Sequence, residues 1–509
     1  MSFSLNPLRV KGSFLGVAIG DALGWPEERP RFRKILKRNS PKDFALWLKR
    51  EGAYKSIHWE TVNPGEYSDD TQLTLAVARS KLTGEKWFEH FTQWELPCWL
   101  IYQRGGGRSL LRAAKIWNTG IPPWKINNKK ELINYFQAGG NGVAMRILPH
   151  VIYDGDNPYK MRKHIFRNGI TTHGHPRALI GALLHAESLR YLLYRDQKKI
   201  LKRGEILDFL LDNFHEWSEL LLSDSESEWV KIFYELFNED YSQLWKKVCK
   251  ETEKLLKIAK SSNLSALADE GEILSELGAT GKFKGAGNIT AVAAIFIFSK
   301  FASEPTNALI FAANFRGTDT DTLASMVGAL VGALYAEEWI ISEWQRVQDR
   351  MYIEKIAKKL LNKQVTNYLD KCSEISFNML TRKKKINFGF FGQSTVQEIE
   401  YIKGKKTNFT RYRLRTQEGQ TLYIKSINIK ETEAHEELLK YEHLQKEILS
   451  ISEKVFWAGK QEGAKEILEI VLRSFNLYSK KKFQEAIKAW EQNKLEQYLN
   501  KLINSNLKH

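Results

Sequence analysis

Cysteine is almost absent from this chain: three in 509 residues, at positions 98, 249 and 372, with no CxxC pair among them. That spacing excludes a disulfide framework and a zinc ribbon, and a reducing compartment is expected. Long hydrophobic runs are missing too. The longest, residues 291–298 and 323–336, fall short of the roughly 20 residues that span a bilayer and read as buried core helices. The N-terminus shows no uninterrupted apolar stretch of the signal-peptide kind, so a soluble, cytoplasmic protein without a membrane partner is expected. Aspartate is absent from the last quarter. From Ser376 to His509 there are 25 Lys/Arg against 16 Glu, a net of +9 out of +17 for the whole chain. Polyanions are the partners such a charge favours, although solubility also accounts for it. Internal repeats are not evident, and the length suits two to four domains.

What the chain does have is two short acidic clusters. The first reads Tyr67-Ser68-Asp69-Asp70-Thr71 and the second Arg316-Gly317-Thr318-Asp319-Thr320-Asp321-Thr322. Each runs straight into an apolar segment of helical period. Serine, threonine and aspartate are ordinary N-cap residues, and a carboxylate there answers the helix dipole, so capping is one reading. Capping needs a single side chain, whereas each cluster offers three or four. The surplus favours a hard-oxygen site for Mg²⁺ or Mn²⁺.

Residues 12–364 read as helical. Small-residue segments at 12–24, 71–80, 178–193, 288–302 and 323–336 let helices approach closely, and polar helices are expected at 206–237 and 242–259. No period-2 run stands out there, so an all-α globule is expected. The pattern changes after Lys383-Lys384-Lys385. Residues 396–402, 410–416 and 421–427 alternate like short strands, Gln417-Glu418-Gly419-Gln420 reads as a hairpin turn, and helical sequence resumes from 431. The expected organisation is mainly α: an all-helical domain over 1–370, then a small basic α+β module over 380–509. Arg411, Arg413 and Arg415 alternate and so share one strand face. Acidic residues after Glu431, or a polyanion such as nucleic acid or an acidic protein, are the two candidates to meet them.

Three further segments carry chemistry. Gly20-Asp21-Ala22-Leu23-Gly24 lies in a glycine-spaced helix followed by Trp25-Pro26-Glu27-Glu28. Gly139-Gly140-Asn141-Gly142-Val143-Ala144-Met145-Arg146 reads as a glycine-rich turn opening a helix, whose N–H groups can cradle a phosphate. Thr171-Thr172-His173-Gly174-His175-Pro176 sets two imidazoles before a helix start.

Taken in order, GDALG, SDDT, GNGVAMR, THGHP and GTDTDT resemble the ADP-ribosylglycohydrolase family over about residues 10–340. The resemblance implies an all-helical fold, a centre of two Mg²⁺ (or Mn²⁺), and hydrolysis of the glycosidic bond between ADP-ribose and an acceptor. It places Ser68, Asp69, Asp70, Asp319, Asp321 and Thr322 as metal ligands, with Ser68 where the family usually has threonine. Glu28 matches a mobile metal-associated glutamate, with Glu27 as the competing choice; Glu28 and Asp70 are the candidate catalytic carboxylates. Gly140, Asn141, Gly142 and Val143 match the segment facing the diphosphate, and His173 a histidine beside the distal ribose. Arg316-Gly317-Thr318 replaces a glycine-richer lead-in.

Six protein oxygens suffice for a dimetal site, because Mg²⁺ keeps several waters. The implied substrate is an ADP-ribosylated protein, nucleic acid or small conjugate. The alternative on the same fold is an inactive ADP-ribose-binding or structural protein. A dimetal phosphoesterase is less favoured, since the His-rich ligand patterns of many such enzymes are missing.

Overall fold

The computed structural model describes residues 5–366 and 381–428, apart from 54–55, 197–198, 223–225, 265–268 and 406, together with 484–488. Asn6 starts the first helix: its Oδ1 accepts the Leu8 N–H at 2.8 Å, and Pro7 takes the first helical position. The long helices are α1 (Pro7–Glu28), α2 (Asp69–Lys81), α3 (Pro176–Tyr194), α4 (Tyr241–Leu264), α5 (Gly287–Lys300), α6 (Thr320–Tyr335) and α7 (Arg350–Leu361), with shorter ones between. α5 packs against α3, α4 and α6 and is buried over nearly its whole length. Among the described residues no helix is long and apolar enough to cross a membrane. Cys98 and Cys249 are free thiols, and Cys372 lies outside the described residues.

Glycine sets the centre of the molecule. A Cβ at Gly16 would lie 2.0 Å from Gly328 O, and one at Gly20 2.1 Å from Ala324 O. Only hydrogen fits there, so the backbones of α1 and α6 touch along their length. Thr320 Oγ1 donates to Gly24 O at 2.8 Å, fastening the end of α1 to the start of α6.

Two expectations are corrected here. The stretch expected to be all-helical contains an antiparallel sheet of β1 (Arg33–Lys37), β2 (Leu46–Glu51) and β3 (His58–Val62). Its inward residues on β3 are His58, Glu60 and Val62, so polar groups occupy the buried face and hide the two-residue period from hydropathy. The expected polar helix over 206–237 is three helices, Glu205–Asp212, Phe214–Ser218 and Ser227–Phe237. Asn213 interrupts the first two, its amide donating to Phe209 O at 2.8 Å.

The C-terminal strands form as expected: β4 (Lys385–Asn387), β5 (Gln393–Lys403), β6 (Asn408–Thr416) and β7 (Thr421–Asn428), all antiparallel and in that order. Gly419 at φ +104° supports the turn between β6 and β7. Phe388, Phe390, Phe391, Val396 and Leu414 of this sheet pack with Leu73, Phe91, Trp99 and Tyr102 of the helical body in one hydrophobic cluster. Arg79 is buried between them. It is bidentate to Glu95 at 2.6 and 2.8 Å and donates to Gln420 Oε1 at 2.7 Å. The first compact unit therefore runs through residue 427, and residues 428–509 form the second.

The arginines of β6 meet other partners than either candidate. Arg411 Nη2 lies 2.5 Å from Glu400 and its Nη1 3.8 Å from Glu60 of β3; Arg415 binds Asp349 at 2.5 Å; Arg413 is 3.7 Å from Glu398. Neighbouring strands and the helical body neutralise them. The helical sequence after Glu431 lies almost wholly outside the described residues.

Candidate metal and substrate site

The residue that decides the nature of the acidic clusters is Asp21, in the middle of α1. Its Oδ1 accepts the Ser68 N–H at 2.9 Å, and its Oδ2 accepts the Thr71 N–H and hydroxyl at 3.0 and 2.6 Å. Asp21 thus caps α2 from another helix, and Ser68 at the N-cap position makes no side-chain capping bond. Asp319 at the N-cap of α6 makes none either. The clusters are relieved of the duty that would have made them ordinary.

Their carboxylates converge instead. Glu28, Asp319 and Asp321 each offer an oxygen within 4.8 Å of the others. Asp70 is held from α6, accepting Ser325 Oγ at 2.7 Å and Thr322 Oγ1 at 3.2 Å. Asp69, Asp70 and Asp321 are buried. Burial, with the neighbouring carboxylates Asp21 and Glu28, pushes Asp69 up to about 8. Burial and the same crowding raise Asp70 and Asp321 well above the carboxylate range, and Glu28 is raised by burial and Asp319. Such a set of hard oxygens fits divalent cations of the Mg²⁺ class. Ser68 Oγ, fully buried and without a well-formed hydrogen bond among the described residues, fits as well.

Glu27 and Glu28 part ways at the end of α1. Glu27 turns to Arg33 at 2.9 Å, Arg38 at 2.8 Å and Arg316 at 3.3 Å. Glu28 faces the acidic pocket, with Arg29 at 2.7 Å. The unusual Arg316 is therefore a clamp on Glu27.

The pocket, about 220 Å³, is lined by Glu28, Asp69, Asp70, Asp319, Asp321 and Thr322 on one side and by Gly140, Asn141, Gly142 and His173 on the other. Asn141 does more than line it: its Nδ2 donates to Asp319 Oδ2 at 2.8 Å. Val143 is buried in the core and does not reach the cavity, and the turn passes through a 3-10 segment before the short helix Leu148–Asp154. Arg146, fully buried, donates to Gly142 O and Thr172 Oγ1 at 2.9 Å each, so it ties the glycine loop to the histidine loop. His173 is held by Thr172 Oγ1 at 2.8 Å, and burial beside Arg146 lowers its pKa to about 3, leaving a neutral imidazole. His175 is a cap, its Nδ1 accepting the Arg177 N–H at 3.1 Å.

Sequence reasoning missed Asp21 as a cap, Ser325 and Arg146 as braces, and the loop at Gly105-Gly106-Gly107. The three consecutive glycines were a readable signal. Gly105 has φ +97°, and a Cβ there would sit 3.0 Å from Asp69 Oδ1. Ser325 lies one helical turn beyond Asp321, on the same face, which was also readable.

A helical body that gathers buried carboxylates from two helix starts beside a glycine loop defines a class: α-helical proteins with an oxygen-lined cation site. The chain belongs to the ADP-ribosylglycohydrolase family, whose model matches residues 6–370. It is 26% identical over 190 residues to the ADP-ribosyl-[dinitrogen reductase] glycohydrolase of Rhodospirillum rubrum, covering 36% of this chain and 58% of that protein. The alignment thus spans less than two thirds of the relative. A solved structure described as an ADP-ribosylglycohydrolase-related protein complex is similar at 22% identity and a TM-score of 0.41, over 70% of this chain and 98% of that one.

Proposed function

We propose that this protein hydrolyses the glycosidic bond between ADP-ribose and an acceptor, using two divalent cations, Mg²⁺ or Mn²⁺. The observation that carries the reading is the release of Asp69, Asp70 and Asp319 from capping by Asp21, which leaves a crowded carboxylate pocket for a cation to neutralise. Ser68, Asp69, Asp70, Asp319, Asp321 and Thr322 are the ligand set. Bound there, divalent cations polarise the oxygens they ligate and lower the pKa of a coordinated water.

The chain's own groups do the rest. Gly140 and Gly142 leave room for the diphosphate beside the neutral imidazole of His173, which hydrogen-bonds a ribose hydroxyl. Asn141 fixes the orientation of Asp319. As the acceptor departs, positive charge develops on the sugar, and the surrounding carboxylates stabilise it. Glu28, beside Arg29 at the cavity edge, accepts the proton of the attacking water. The relative's name places its substrate on a protein, and an ADP-ribosylated macromolecule is the substrate class proposed here. The test is release of ADP-ribose by the purified chain from arginine-, serine- and nucleic-acid-linked conjugates. Release is expected with Mg²⁺ and abolished by chelator; release from none of them overturns the reading.

A further inference from the structure

A second, larger cavity of about 740 Å³ lies beside the carboxylate pocket and shares Glu28, Arg29 and Gly105 with it. Its outer wall comes from two pieces of chain lying far apart in sequence, the β1–β3 sheet and the β5–β6 hairpin. The Lys405 N–H of the hairpin donates to Ile57 O at 2.8 Å and brings that tip against the loop before β3. Four cations line the cavity, Arg29, Lys49, Arg50 and Lys405, against two carboxylates, Glu28 and Glu51. Arg29 is paired with Glu28 and Lys49 with Glu51. Arg50 and Lys405 have no ion pair among the described residues, and the Arg50 guanidinium lies 5.4 Å from the Phe32 ring centroid.

We propose that this cavity receives the acceptor and that the acceptor is a nucleic-acid strand, an assignment that rests on the hydrolase reading above. With ADP-ribose on the Gly140–His173 side of the carboxylates, the group leaving the anomeric carbon departs across Glu28, into this space. A guanidinium acceptor would enter a wall that already carries two surplus positive charges. A phosphodiester strand meets Arg50 and Lys405 favourably, and the Arg50–Phe32 pair offers a flat surface for an unpaired base. In the reaction, water oxygen bonds to the anomeric carbon as the bond to the acceptor nitrogen or oxygen breaks with its electron pair. The acceptor takes one proton, the other goes to solvent through Glu28, and nothing is oxidised or reduced.

The experiment uses the full chain with Mg²⁺ and four probes. Two are single-stranded oligodeoxynucleotides, ADP-ribosylated on a base or on a terminal phosphate. The others are an arginine-linked peptide and an acidic peptide ADP-ribosylated on serine. The expected result is a kcat/KM highest for an oligonucleotide and falling steeply with salt. R50A/K405A should reduce the salt slope by about 2, one per lost phosphate contact. The same variant should lower the oligonucleotide-to-peptide ratio of kcat/KM by about tenfold. Turnover of a peptide as fast as the oligonucleotides overturns the acceptor assignment and leaves the hydrolase reading standing. So does an R50A/K405A variant with wild-type ratio and slope. Release from no probe overturns both.

Discussion

Individual side chains divide sharply into those that build the site and those that use it, and substitution separates the two. Asp21→Ala removes the cap of α2 and leaves buried N–H donors unanswered, a loss of about 1–3 kcal/mol that should lower Tm in chelator and in Mg²⁺ alike. Asp321→Asn relieves crowding, so Tm in chelator should hold or rise while Mg²⁺-dependent release of ADP-ribose disappears. A matching fall of Tm in chelator for Asp321→Asn would return the cluster to a structural role. pH sharpens the same distinction. Below about 8 the raised Asp69 carboxyl holds a proton that a cation must displace, so the Tm gain on adding Mg²⁺ should grow between pH 5.5 and pH 8. A gain independent of pH, followed by differential scanning fluorimetry, would speak against cation binding at Asp69. Glu28→Gln should cut turnover by about 100-fold or more while ADP-ribose affinity, read by calorimetry, changes little. Equal losses in both would remove Glu28 as the proton acceptor. The ligand candidates were legible because their number exceeded what capping needs. Asp21 was not, because a lone aspartate in an apolar helix shows its partners only once α2 is laid beside it.

At the scale of helices and strands, the site is held by how closely α1 and α6 approach, since between them they carry Glu28, Asp319 and Asp321. Gly16→Ala places a methyl group against the Gly328 carbonyl, which backbone can accommodate only by separating the two helices. The cost is about 1–3 kcal/mol, and the mouth of the carboxylate pocket shifts with it. Raised KM for Mg²⁺ together with a lower Tm is the expected outcome; a Tm shift alone would mean the helices separate without disturbing the ligands. These helices were readable from their small-residue spacing. The β1–β3 sheet was not, because Glu60 faces inward there, balanced by Lys425 at 2.5 Å and by His58 at 2.9 Å. A buried ion pair between β3 and β7 makes a strand look like surface.

For the molecule as a whole, the C-terminal sheet is part of the body that contains the site. A chain ending at residue 428 should fold and unfold in one transition, whereas one ending at 380 bares the apolar faces of Phe91, Trp99 and Tyr102 and strips Arg79 and Asp349 of partners. Aggregation or protease sensitivity of the shorter chain, against a resistant longer one, is the outcome to look for by limited proteolysis. Equal stability of both would make the sheet an appendage. The strands themselves were legible from alternation; their docking was not, because it rests on pairings across hundreds of residues. Those pairings also impose an order on synthesis. Arg79 leaves the ribosome 341 residues ahead of the Gln420 that completes its shell. Asp70 precedes by 255 residues the Ser325 that orients it. A growing chain therefore carries its first acidic cluster, unassembled, through most of translation. Cation binding, and any commitment of the site to substrate, waits until the last strands emerge, so a chain stalled before them is recognisable to a protease as unfinished.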